Sequence, residues 1–335
     1  MATQKNPTAA RLARLRKDAA KGFEKLSPAD RKEILAARRQ YRNGNLPKDM
    51  LSLVGLPLPV AGQPHSSVTV IDAMGNDSSI VQAARVSYGI GTKKISEDRA
   101  LIRYLLRHRH TTPFEMCDIK LRIACPIFVA RQWLRHRTAS VNEYSGRYSE
   151  MMDLRYVPPV DALKAQSQTN KQGRGGELST GAKKVAGNAI ELIGDEAQLT
   201  YENLLGKRDG LFEPGSPGLT RELSRIVLPL NTYTIFYWKT NLHNLMHFLK
   251  LRADPHAQEE IRNLAEVIEL ALAAWLPTTF EAYMDYLKEG AMLSRMEVEA
   301  VNRKLAGEPV AAETVGMSKR EWSDFVARFP AFKAV

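Results

Sequence analysis

Cysteine is nearly absent: Cys117 and Cys125 are the only two in 335 residues. Two thiols cannot build a disulfide framework or a four-thiolate zinc site, which fits a reducing cytosol. No run approaches ~18 uninterrupted apolar residues, so no stretch has the make-up of a membrane-spanning helix. The opening, MATQKNPTAARLARLRK, lacks the apolar core of a secretory signal. The expected location is therefore the cytoplasm. No G-x-G-x-x-G follows a predicted strand and no G-x-x-x-x-G-K-[ST] occurs, so neither common phosphate-loop fingerprint is present. No internal repeat is visible.

Charge is present but unevenly placed. The formal net charge is +11, from 48 Lys+Arg and 37 Asp+Glu. Residues 1–50 hold 13 Lys+Arg against 5 Asp+Glu, leaving the other 285 residues with 35 against 32. A nucleic-acid partner would have to use that basic extension alone. Residues 1–64 read as a basic helical extension, solvated and followed by a linker. Helices are predicted over 8–25 and from Ser27-Pro28, where Ser27 suits an N-cap and Pro28 the first helical position. Gly44, Pro47 and the proline-bearing stretch 57–64 carry the linker composition.

Residues 65–290 form the expected catalytic domain. Val68, Val70 and Ile71 predict a strand, and Ile119, Leu121 and Ile123 alternate with Lys120 and Arg122 as a half-buried strand does. Helices are predicted over 78–87, from Ser96-Glu97-Asp98, after Pro126, and over 183–206, 219–226, 241–251, 257–275 and 279–288. The stretch 232–238, TYTIFYW, suits a strand or a helix start. Residues 164–182 lack any apolar period and predict a long surface loop, with GRGGE at 173–177 as its flexible part. Residues 291–335 read as a helical tail. Strands mixed irregularly with helices predict an α+β fold, with mixed helices around a central antiparallel sheet.

The chemistry concentrates in residues 131–147, RQWLRHRTASVNEYSGR. Five cationic or potentially cationic side chains (Arg131, Arg135, His136, Arg137, Arg147) alternate there with Gln132, Ser140, Asn142, Glu143 and Ser145. Arginine forks and serine hydroxyls together suit a phosphate-bearing ligand. Arg225 and Arg252 form a second basic pair downstream. His243, Asn244 and His247 share one predicted helix flank. The two histidines, four apart, lack a neighbouring Glu base and an obvious third ligand, so no metal is expected. Trp238, Phe236 and Phe248 read as core.

These residues resemble the flavin-dependent thymidylate synthases, whose hallmark is Arg-His-Arg, seven residues, then Ser. Here it is Arg135-His136-Arg137, TASVNEY, Ser145, inside RHRTASVNEYSGRYS. Further blocks follow the family's order: AARVSYG at 83–89, HTTPFE at 110–115, RIVLPLNTYT at 225–234 and LRADPHAQEEIR at 251–262. The resemblance covers about residues 68–286.

The resemblance implies conversion of dUMP to dTMP, with methylenetetrahydrofolate giving the carbon, FAD carrying the hydride and NADPH as reductant. It implies dUMP contacts from Gln132, Arg135, Glu143, Tyr144, Ser145, Gly146, Arg147 and Arg225. Arg252 matches the catalytic arginine that favours ionisation at uracil N3. Flavin contacts are implied for Ser87, Thr112, Arg135, His136, Arg137, Glu143 and Asn241, with His110 near the flavin and folate. His243 and His247 stand where many relatives carry Asn-x-Arg and a further polar residue. The family's sites combine subunits of a homotetramer. Two other products or activities remain open from the residues: a hydroxymethylated or different pyrimidine nucleotide, and nucleic-acid binding through the basic arm.

Overall fold

The computed structural model describes residues 7–40, 46–86, 95–168, 172–208, 212–213 and 216–333. Seven strands are present among them: β1 (Pro57–Val60), β2 (Gln63–Met74), β3 (Asp118–Pro126), β4 (Ser140–Glu143), β5 (Lys164–Gln166), β6 (Arg174–Glu177) and β7 (Tyr233–Asn241). Five of them form an antiparallel sheet in the order β1-β2-β3-β7-β4. With helices packed on it, this is the α+β architecture the mixed pattern predicts.

Alternation explains the centre of the sheet. In β3, Ile119, Leu121, Ile123 and Cys125 are buried, with less buried residues between them. In β7, Thr234, Phe236, Trp238 and Thr240 point inward, while Tyr237 and Lys239 are exposed. That period of two settles 232–238 as strand, since a helix would bury every third or fourth residue instead. Each large apolar side chain so buried contributes about 1.5–3 kcal/mol. The register pairs Asp118 with Asn241 and Pro126 with Tyr233.

The stretch 57–64 is not a linker. β1 pairs with β2, Pro57 facing Thr69 and Pro59 facing Ser67. Proline is tolerated there because β1 is an edge strand. Gly62 makes the turn at φ +68, where a glycine has no Cβ to clash. The N-terminal helix Pro7–Glu24 is also not a solvated appendage: Leu12, Leu15 and Ala19 enter the same core as the sheet. Arg11 pairs with Glu266 at 3.0 Å and Arg16 with Asp49 at 2.8 Å. The next helix, Pro28–Gln40, starts on Ser27, whose Oγ accepts from Asp30 N at 3.1 Å.

Two further expectations change. The predicted surface loop 164–182 contains the β5–β6 hairpin, and its Arg174 ion-pairs with Glu259 and the buried Glu260. Gly175 permits the hairpin's close approach, because a Cβ there would lie 2.7 Å from Ser167 Cα. The helix read as capped at Ser96 runs Ile95–Arg107. Residues 1–288 and 289–335 are separate compact units. The second has its own core of Ala300, Ala312, Val315, Met317 and Phe325. Its helices Arg295–Leu305 and Lys319–Arg328 open on the capping boxes Ser294–Glu297 and Ser318–Glu321.

Candidate functional site

The Arg-His-Arg segment is a turn held between two buried aromatic anchors. The helix Ile127–Trp133 begins on backbone bonds from Ile127 N to Thr232 O and from Phe128 N to Leu230 O. It buries Trp133 edge-on to Trp238 at 5.5 Å and against Phe248 at 4.4 Å. The chain then leaves the helix, with His136 N bonding Trp133 O at 3.0 Å. Arg135 and Arg137 are exposed, while His136 turns inward onto Phe248 at 4.9 Å.

That turn forms one wall of a cavity of about 320 Å³. The floor is Trp238 and Thr240 of β7, and the facing wall is Asn244, His247 and Arg252 of the helix Leu242–Arg252. Larger cavities exist, about 390 Å³ beside the helix Pro7–Glu24 and about 610 Å³ beside the β5–β6 hairpin. A third, of about 360 Å³, lies beside Lys183 and Lys184; none of the three is lined by the Arg-His-Arg turn, so the identity of its residues rather than volume singles out the smaller one.

Across this cavity, Arg252 Nε donates to His136 Nε2 at 3.0 Å. The acceptor nitrogen must be unprotonated, so the imidazole is neutral. Burial, then the charge of Arg252, then His247 lower its pKa to about 4. Burial also lowers the pKa of Arg252. Among the described residues no carboxylate pairs with Arg135, Arg137 or Arg252. A half-buried cation without a counter-charge is a ready place for an anionic ligand.

A second arginine cluster follows β4. Tyr144 N bonds Ile235 O at 2.8 Å, and the chain then turns tightly, with Ser149 N on Ser145 O at 3.0 Å. Arg147 N reaches Ser145 Oγ at 3.3 Å. Gly146 allows a close approach here: a Cβ would lie 2.7 Å from Met151 Sδ and 3.1 Å from Arg225 Cδ, so those side chains would have to shift. The turn therefore packs its Gly146 against the Arg225 side chain. Glu222 binds both arginines, its carboxylate 3.2 Å from Arg147 Nη2 and its carbonyl accepting from Arg225 Nε at 3.4 Å. Glu143 accepts from Thr234 Oγ1 at 2.8 Å, and Tyr144 donates to Glu150 O. Gln132 Oε1 is buried without a hydrogen-bond partner among the described residues. β4, four residues or ~13 Å long, separates the two clusters along the chain.

Other predicted residues lie elsewhere. His110 and Thr112 follow the helix Ile95–Arg107 and do not line the cavity. His110 faces Tyr104 and His108, ring centroids 5.8 and 6.4 Å away. Asn241 caps the helix Leu242–Arg252, its Oδ1 accepting from Asn244 N at 3.0 Å. Of the predicted flank, Asn244 and His247 line the cavity and His243 does not. Ser87 lies outside the described residues. Glu222, Thr138 and Thr240 were not singled out from sequence. For Glu222 a signal exists, since it lies three residues before Arg225 at helical spacing. Both cysteines are buried; burial pushes Cys117 up to about 12 and Cys125 further still. Neither is poised as a thiolate nucleophile.

Residues 69–278 match the family described as thymidylate synthase complementing protein. The chain is 49% identical over 304 residues to the flavin-dependent thymidylate synthase of Gluconobacter oxydans (strain 621H), covering 90% of this chain and 97% of that one. It is 52% identical over 270 residues to the enzyme of the same description from Rickettsia prowazekii (strain Madrid E), covering 79% and 91%. Among solved structures it is similar to the UMP/dUMP methylase PolB from Streptomyces cacaoi bound with 5-Br UMP. The TM-score is 0.58 and the identity 34%, over 67% of this chain and 95% of that one.

Proposed function

Because the chain belongs to the flavin-dependent thymidylate synthase family, we propose that its two arginine clusters serve the conversion of dUMP to dTMP. Methylenetetrahydrofolate is the carbon donor and NADPH the reductant. FAD, when bound, supplies the hydride. The cavity's donor set suits such anionic ligands: Arg135, Arg137 and Arg252 carry no carboxylate partner among the described residues. That observation carries the reading.

The side chains divide the work. Ser145, Arg147 and Arg225 hold the dUMP phosphate, using hydroxyl, backbone N–H and guanidinium donors. Gln132, Glu143, Tyr144 and Gly146 shape the nucleotide's seat, and Gln132 brings a buried carbonyl oxygen in want of a donor. Arg252 faces the uracil edge. A guanidinium there favours loss of the N3 proton and stabilises the anionic ring, which raises electron density at C5. Arg135, Arg137 and His247 border the flavin, with Asn241 at the helix start and Ser87, His110, Thr112, His136 and His243 as the remaining contacts. The protein orients and polarises, while the cofactor carries the difficult chemistry.

A homotetramer completes this reading. Tyr148 and Ile226, which follow Arg147 and Arg225 directly in the chain, are 78% and 76% exposed, and Leu230 is 58% exposed. Apolar surface at a ligand site is well explained by a second copy that covers it. The location proposed is the cytoplasm; no helix among the described residues is long and apolar enough to cross a membrane. The packing of Leu12 and Leu15 into the core speaks against the basic arm as a free nucleic-acid-binding tail.

The test is tritium release from C5-labelled dUMP by purified protein with FAD, NADPH and methylenetetrahydrofolate, with the product weighed by mass spectrometry. dTMP is expected. A hydroxymethylated product would overturn the methylation, and no release would overturn the reading. UMP is assayed alongside, since the structural neighbour is described as a UMP/dUMP methylase.

A further inference from the structure

A guanidinium carries five N–H donors in one plane, so fixing one of them fixes where the others point. In this chain the fixed donor is the Nε–H of Arg252, seated on His136 Nε2 at 3.0 Å. We propose that His136 is a positioning residue, a neutral acceptor that aims the two Nη groups of Arg252 at the edge of the pyrimidine. The ligand's identity rests on the functional reading above; the geometry does not.

The ring is held in orientation from several sides. Phe248 meets it edge-on at 4.9 Å and His247 at 6.0 Å, both from the helix that ends in Arg252. Its own turn is pinned by the bond from His136 N to Trp133 O. The groups facing it are Arg252 and His247 across the cavity, with Arg135 and Arg137 on either side in its own turn. Among the described residues no carboxylate contacts it. Burial first, then the charge of Arg252 and then His247, disfavour the imidazolium, and its pKa falls to about 4.

This changes the chemical meaning of Arg135-His136-Arg137. By sequence the motif reads as three cationic or potentially cationic groups for a phosphate-bearing ligand. In the fold it is two cations flanking an uncharged acceptor, because Arg252 can be seated only on a lone pair. Lysine or arginine at position 136 would offer donors alone and would repel Arg252. Glutamine would offer an amide oxygen at comparable reach. Histidine adds a rigid ring that Phe248 can pack against.

The test pairs two measurements on the full-length protein. Selective ¹⁵N-histidine labelling, with His136 assigned by its loss in His136→Gln, should show Nε2 unprotonated, Nδ1 protonated and no titration between about pH 5.5 and 8.5. A His136 that titrates in that range, or carries its proton on Nε2, overturns the proposal. In the kinetic arm, run at saturating added FAD, His136→Leu should lower kcat on the order of 10²-fold through a misdirected Arg252. His136→Gln should recover to within about tenfold of the parent. Equal losses in the two variants would mean a packing role only and would overturn it. If the unmodified protein does not turn over dUMP, the functional reading fails, while the labelling measurement still decides whether His136 is a neutral acceptor.

Discussion

In the proposed function Arg252 and Arg147 each offer a guanidinium to a ligand, but their neighbours differ. Arg252 is half-buried and sits on a neutral imidazole, with no counter-charge among the described residues. Arg147 is exposed and pairs with the carboxylate of Glu222, these two side chains being 54% and 55% accessible. An exposed pair of this kind is worth about 0–1 kcal/mol, so a phosphate can replace Glu222 at little expense. A half-buried cation left unpaired is a standing liability to the fold, which the protein bears to keep a charge aimed. On the proposed function, one cluster suits exchange and the other preset polarisation.

The comparison is tested most sharply at Arg252. Arg252→Met should lower kcat for dUMP on the order of 10²–10³-fold in the tritium-release assay, as removal of one preorganised charge partner does elsewhere. A loss below about tenfold would erase the distinction between the clusters. Arg147→Gln should act differently, raising the KM for dUMP by about tenfold or more while kcat is largely kept, because phosphate contact is equal in ground and transition states. Gly146→Ala should be milder. Its Cβ displaces Arg225 Cδ and Met151 Sδ, so a several-fold rise in KM is expected with kcat retained. Glu222→Gln should change KM by less than about fivefold, downward, with the effect fading in high salt. A large loss instead would assign Glu222 a direct contact with the nucleotide.

The smallest effect concerns pH. Folded His136 takes its proton only near pH 4, against 6.5 for a free ring. Between those values the unfolded chain binds the extra proton, so stability falls as pH drops through this window and is unaffected above it. The protein should therefore lose more Tm between about pH 7.5 and 5 than His136→Gln does. An equal or smaller loss would mean that His136 already carries its charge in the folded state.

Legibility in the sequence followed distance along the chain. β3 was plain because its alternation is local, and the helix after Ser27 because its cap and Pro28 are adjacent. β1 was missed because Pro57 and Pro59 imitate a linker; only its place at the sheet edge makes them acceptable. β4 was missed because its four residues are all exposed and show no apolar period. The β5–β6 hairpin hid in polar, glycine-bearing sequence, where Arg174 and Glu260, not apolar burial, tie it down. At the site, residue types were readable and partners were not. The contact of Arg252 with His136 spans 116 positions, and that of Arg147 with Glu222 spans 75. Nothing in either local stretch announces the other, and the neutrality of His136 follows only from the contact.

The helix Leu242–Arg252 also sets a ruler. Asn241 pins its first turn to the end of β7, and Arg252 is its last residue. Inserting or deleting one residue between them would turn Arg252 by ~100° about the axis and shift it by about 1.5 Å. The guanidinium would then leave His136 although every side chain of the site kept its identity. Length in this segment is thus a functional parameter in its own right, and relatives with this arrangement should tolerate substitutions along the helix far better than a change in its count of residues.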